Sequence, residues 1–182
     1  MLYDLEKNLE SEEINGLISI CKSCSGVMGK TLREAHYQLG KILAQSYRNA
    51  LSDACIISFL RAALPFSLGI ADIFDCPILF YDSTDTDFFN KNRTILEKGN
   101  ILFVDAVINS GEEMLSAVRQ SDCSASKIKI VTNVLCAKSI EKFIDYDLFT
   151  VRVSENSFKG EKIEHQQGNL GPDTGDRLFR TM

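Results

Sequence analysis

Histidine is scarce in this sequence, with only His36 and His165, and its one Cys-x-x-Cys, Cys21-Lys22-Ser23-Cys24, has no second to pair with it. A closed four-ligand zinc site would need scattered partners, so that pair is read as the end of a first helix rather than a metal or redox centre. Basic residues are in deficit: 20 Lys and Arg stand against 25 Asp and Glu, giving a net charge of -5 and a pI near 5.1. That balance argues against nucleic acid or an anionic membrane surface as the main partner. A bilayer-spanning apolar run is missing too, because Arg61 interrupts the best candidate. The opening Met1-Leu2-Tyr3-Asp4-Leu5-Glu6-Lys7 is charged and amphipathic, unlike a secretory signal or transit peptide. In such a chain the six cysteines Cys21, Cys24, Cys55, Cys76, Cys123 and Cys136 read as reduced thiols of a cytoplasmic protein, not as a disulfide framework.

What is present suits one domain of 182 residues, 45% of them hydrophobic. Residues 4–22 and 30–51 are helical in pattern, the second carrying Leu32, Ala35, Leu39, Ile42 and Leu43 at three- and four-residue spacing. Apolar runs at about 54–60, 77–81, 101–105, 128–135 and 147–151 read as buried strands, with a helix from Ala137 to about Phe143. The polar stretch from Asp82 to Asn100 has little periodicity, and a loop of that length is expected to be functional or mobile. Strands alternating with helices call for an α/β fold: a parallel, doubly wound sheet flanked by helices, with a core of about 53–151. The termini, 1–30 and 152–182, leave that alternation and are expected to form a hood.

The chain is organised around Ile101 to Leu115, where Phe103-Val104-Asp105 is followed by Asn109-Ser110-Gly111 and then Glu112-Glu113-Met114-Leu115. This is a buried strand feeding a helix start, and free amides at a helix start form an anion-binding geometry at the carboxyl edge of a sheet. A cap is the other reading, with Ser110 and Glu113 forming a capping box that needs no ligand. Arg61 lies at another strand's carboxyl end, either as a surface charge or as a bidentate grip on phosphate.

With those residues in view, the chain resembles the uracil phosphoribosyltransferases, which are type I phosphoribosyltransferases. Ile101 to Val118 resembles the family's loop hydrophobic-Asp-Pro-x-x-Ala-Thr-Gly-Gly-Ser; Phe59-Leu60-Arg61-Ala62-Ala63-Leu64 its Ile-Leu-Arg-Ala-Gly-Leu; Thr174 to Thr181 its Ala-Gly-Asp-Arg-Leu-Phe-Gly-Thr. Leu32-Arg33-Glu34 with Gly40, and Phe88-Phe89-Asn90-Lys91, are weaker echoes in the same order. The resemblance implies transfer of a phosphoribosyl group from phosphoribosyl pyrophosphate to uracil, giving UMP and pyrophosphate. It implies magnesium carried by the donor with no metal ligand from side chains, and a homodimer or larger homo-oligomer. It implies a catalytic-side role for Asp173 and Asp105. Donor contacts would come from Arg61, Ala62, Ala63, Asp105, Asn109, Ser110, Gly111, Glu112 and Glu113, and base contacts from Gln167, Gly168, Gly171 and Pro172.

Departures from the family pattern point to a second class of function. Glu112-Glu113 stands where the family has Gly-Ser or Gly-Thr, Asp82 where it has arginine, and Ala63 where it has glycine. One glutamate is expected to point into the phosphate site, where at ~4 Å like charges cost roughly 1 kcal/mol in water and about 4 at intermediate dielectric. Pro172 lacks the N–H that the family's glycine would offer to the base, unless a one-residue insertion places Asn169-Leu170-Gly171 there instead. The alternatives are a catalytically degenerate homologue that binds nucleotide as a regulator, and a phosphoribosyltransferase for another base.

Overall fold

The computed structural model describes residues 1–48, 51, 53–155, 157–159, 162–164 and 170–181. Its centre is a six-stranded parallel sheet of β1 (Leu2–Asp4), β2 (Ala54–Phe59), β3 (Ile78–Tyr81), β4 (Asn100–Ile108), β5 (Ile128–Cys136) and β6 (Asp147–Ser154), in the order β1-β6-β5-β4-β2-β3. The near-continuous apolar runs of β2, β4 and β5 follow from cover on both faces. On one face lie α2 (Glu12–Cys21), α3 (Lys30–Tyr47) and α4 (Leu64–Phe74); on the other lie α7 (Glu112–Ser121) and a 3-10 segment, Ala137–Phe143. The expected fold class, α/β with a parallel doubly wound sheet, is what the chain adopts. Strand order reverses between β2 and β4, so the switch point lies between the Arg61 loop and the Asp105 loop.

The structure corrects three local expectations. Residues 4–22 are not one helix: Leu2–Asp4 is a strand paired with β6, followed by the single turn α1 (Leu5–Asn8) and then α2. The stretch 82–100 holds two short helices, α5 (Phe88–Lys91) and α6 (Arg93–Leu96), because Phe88 and Phe89 are buried in an aromatic cluster with Phe59, Tyr81 and Phe103. Ala137–Phe143 is 3-10, not α. After β6 the chain forms an antiparallel group, β7 (Ser157–Lys159), β8 (Lys162–Glu164) and β9 (Leu170–Gly171), and ends in α8 (Thr174–Phe179).

Two details of packing position the site. First, α3 and α4 cross at glycines: a Cβ on Gly40 would lie 2.3 Å from the Phe66 carbonyl oxygen, and one on Gly69 would lie 2.0 Å from that of Tyr37. Second, β4, β5 and β6 are interrupted along one row, where pairing runs Asp105↔Thr132↔Thr150 and then resumes at Val107↔Val134↔Arg152. The Thr132 and Thr150 hydroxyls donate to the carbonyls of Val134 and Arg152, at 3.1 and 2.9 Å. Below the row Val104, Val131 and Phe149 belong to the core under α3; above it Ile108, Leu135 and Val153 pack on the opposite core, although each pair shares strand parity. A bulge-like slip in three adjacent strands thus reverses the faces of their carboxyl ends. Beside it His36 and Asn133 meet in the core, where burial pushes His36 down to about 3 and keeps its ring neutral.

Candidate active site

The slip leaves Asp105 at the mouth of the switch point, its Oδ1 accepting from the Ala106 N–H at 2.7 Å. Past β4 the chain turns at Gly111, whose φ of 76° only glycine adopts freely and whose Cβ would lie 2.7 Å from the Phe143 ring. Helix α7 begins at Glu112 and its repeating bonds begin with Leu115 N–H to the Gly111 carbonyl, so its first amides face the crevice. The capping box does not form: the cap is Gly111, and Ser110 Oγ accepts instead from the Glu112 N–H at 3.4 Å. Glu112 is already helical, so the positive φ that favours glycine ends at Gly111.

The two glutamates part company. Glu112 turns out to an ion pair with Lys142, which holds its carboxyl below the usual range and also donates to the Ser110 carbonyl at 2.9 Å. Glu113 lines a cleft of about 270 Å³ together with Asp105, Asn109, Ser110, Gly111 and Asp173. Asp173 arrives from the far end of the chain as the N-cap of α8, its Oδ2 accepting from Gly175 and Asp176 N–H at 2.7 and 3.3 Å. Burial, with Glu113 and Asp173 adding repulsion, pushes Asp105 up to about 7 against the pull of the Ala106 and Val107 amides. The cleft therefore has a helix N-terminus on its floor and carboxyl groups on its walls.

Arg61 leaves β2 through a cis Leu60–Arg61 peptide and reaches Asp176 Oδ1 at 2.7 Å, with its guanidinium 5.8 Å from the Phe179 ring centre. It stands beside the cleft, half exposed and engaged by Asp176. Ala63 is fully buried in right-handed backbone at the start of α4, so alanine replaces the family's glycine there without strain. Ala62 packs against the core under α3. Asp82 caps its own turn through Thr84 and is not part of the cleft lining. Gly171 lies in β9, Pro172 is partly buried, and Gln167 and Gly168 fall outside the described residues. Among the described residues there is no group of three or more His, Cys, Asp or Glu placed to hold a metal, and no helix long and apolar enough to cross a membrane. Lys142 and Asp176 were not legible as site residues: Lys142 comes from a 3-10 segment with no motif, and Asp176 lies inside a matched motif without its pairing to Arg61 being written there.

No family model matches the chain, and no curated protein matches it in sequence. Solved structures similar to it include the AQ2163 protein from Aquifex aeolicus, at 16% identity and a TM-score of 0.69 over 100% of this chain and 99% of that one. They also include a protein from Neisseria gonorrhoeae with bound ppGpp, at 20% identity and a TM-score of 0.50 over 65% of this chain and 78% of that one. A purine phosphoribosyltransferase from Pyrococcus horikoshii is similar at 16% identity and a TM-score of 0.47, over 66% of this chain and 83% of that one. At these identities what is shared is the fold.

Proposed function

We propose that the cleft binds phosphoribosyl pyrophosphate and transfers its phosphoribosyl group to a pyrimidine, uracil on the motif resemblance. The observation that carries this reading is convergence: the segments around Arg61, Asp105 and Asp173, far apart in sequence, meet at one sheet edge, with Asp105 and Asp173 lining the same cleft and Arg61 paired to Asp176. The amides of Asn109, Ser110 and Gly111 and the start of α7 would hold the terminal phosphate. Asp105 would accept from the ribose hydroxyls, and Arg61 would leave Asp176 for the pyrophosphate. Asp173 would face the acceptor, with Gln167, Gly168, Gly171 and Pro172 along the base. The bond from the ribose carbon to pyrophosphate breaks as the bond to the base nitrogen forms, the electron pair leaves with pyrophosphate, and the proton of the base passes to a carboxylate of the cleft. Placement of charge around an oxocarbenium-like centre is then the main contribution of the protein. Magnesium would enter on the donor's oxygens, and the hard carboxyl oxygens of Asp105, Glu113 and Asp173 in the same cleft suit such an ion nearby. A homodimer or larger homo-oligomer belongs to the same proposal, and sedimentation checks it.

A second reading is nucleotide binding without transfer, and it is favoured by the carboxyl groups of Asp105, Glu113 and Asp173 around a phosphate site while Arg61 is held by Asp176. Turnover of labelled uracil with phosphoribosyl pyrophosphate and magnesium supports the enzyme. Calorimetric binding of the donor or of ppGpp without turnover overturns it in favour of the second reading. The absence of both binding and turnover removes both readings.

A further inference from the structure

Across Val107 and Asn109 from the cleft lies a separate small cavity of about 30 Å³, between the carboxyl ends of β4, β5 and β6 and the ends of α2 and α8. Space of that size admits about two water-sized centres. Its charge is the reverse of the cleft's: Arg152 and Arg177 both line it, and its described lining contains no carboxylate. The three-strand slip produces this arrangement, with Arg152 lining the cavity beside Cys21 at the end of α2.

The two arginines differ in how they are satisfied. Arg177, 1% exposed, donates to the carbonyls of Cys21 at 3.0 Å, Lys22 at 3.1 Å and Val27 at 3.0 Å. Carbonyls at a helix C-terminus solvate a cation without cancelling its charge. Arg152 is worse placed, for its Nε is buried with no hydrogen-bond partner. Neither arginine makes an ion pair among the described residues. Glu6 lends Arg152 a favourable field, while burial pushes the Cys21 thiol up to about 11, so it stays neutral and supplies no counter-charge. A partly buried guanidinium with no ion-pair partner among the described residues is costly, and an oxyanion in the cavity it lines supplies the missing charge.

We infer that this cavity is a subsite for a carboxylate-sized oxyanion, gripped by the Arg152 guanidinium that lines it and held in the field of Arg177. The oxyanion is either a free small anion or the carboxylate of an acceptor that reaches in past Asn109. The second source rests on the phosphoribosyl-transfer reading and names its acceptor class as a pyrimidine bearing a carboxylate.

The test uses the whole chain and compares formate with chloride at equal ionic strength. Formate raises the native Tm and broadens in its 13C resonance on adding protein; both responses vanish in Arg152→Met and persist in Glu113→Gln. The broadening needs no variant, and Arg152→Lys, which keeps the charge and loses the planar guanidinium fork, retains only part of it. In the second arm orotate, uracil carrying a ring carboxylate, binds about tenfold tighter than uracil, and Arg152→Met erases the difference. No response of the native protein to formate or orotate overturns the subsite, as does an unchanged response in a folded Arg152→Met. A formate response with no turnover on any base keeps the subsite and overturns only the transfer reading.

Discussion

Asp105 is a carboxyl group whose surroundings oppose its charge, and that has a pH signature. Its folded pKa is raised to about 7 from an ordinary value of 3.8, so the folded state holds the extra proton between about 4 and 7. Stability from this group is fully present below the lower value and falls as pH rises through that window. Asp105→Asn keeps an acceptor for the Ala106 amide and removes the charge. It should flatten that decline and add roughly 1–2 kcal/mol at pH 7, less than the ~1.4 kcal/mol per pKa unit of full linkage because the side chain keeps some solvent contact. Urea melts from pH 4 to 8 read it, and equal slopes for both proteins would remove the argument. The glutamates divide in the same way. Glu113→Ser should tighten phosphoribosyl pyrophosphate several-fold by removing about 1 kcal/mol of repulsion, whereas Glu112→Gly, which removes only the outward pair with Lys142, should leave affinity nearly unchanged. Calorimetry on the two single variants decides; identical effects would mean that both face the ligand.

At the scale of elements, the α3–α4 crossing is the least tolerant joint. Gly69→Ala would drive a methyl group into the Tyr37 carbonyl and should cost about 3 kcal/mol or more, whereas Gly16→Ala in α2, with open space around it, should be neutral or stabilising by up to about 1 kcal/mol. Denaturant midpoints with unchanged m-values would show it. The segment after β3 behaves as two pieces: 82–87 is mostly exposed, while Phe88, Phe89 and Leu96 are buried. Hydrogen exchange should find 88–96 protected without ligand and 82–87 open, the latter slowing only when donor and magnesium are present. Slow exchange across the whole of 82–96 in the free protein would contradict this. Strands β2, β4, β5 and β6 were legible because a strand buried on both faces is largely apolar, and β3, at the sheet edge with Phe80 half exposed, because its four residues are all apolar or aromatic. β1 was not, because three residues carry too little pattern to separate an edge strand from the start of a helix, and only pairing with Leu148, Phe149 and Thr150 distinguishes them.

For the whole molecule, Arg177 joins the two ends of the chain, binding the carbonyl-rich turn after α2 while the Gly29 N–H donates to its own carbonyl at 2.8 Å. Removing it leaves buried carbonyls unpaired, so Arg177→Met should destabilise by about 3–5 kcal/mol, and Arg177→Lys should recover only part because a single ammonium cannot span the same fork. One core on each face of a continuous sheet also predicts a single unfolding transition, with near- and far-ultraviolet dichroism changing together. Two separated transitions would show that the terminal segments fold apart from the 53–151 core.

The sequence by itself determined the fold class, the main strands and the places where chemistry-bearing residues cluster, because burial on both faces and helix starts after strands are written in local composition. It also marked Arg61, Asp105 and Asp173 through their motifs. Tertiary structure alone decided their company: that Asp173 closes the Asp105 cleft, that Asp176 holds Arg61, and that of two adjacent glutamates one faces the cleft and the other Lys142. It alone decided the slip along Asp105, Thr132 and Thr150, which turns Arg152 into a cavity. A face reversal shared by three strands depends on hydrogen bonds between segments far apart in the chain, and no local pattern of residues encodes it.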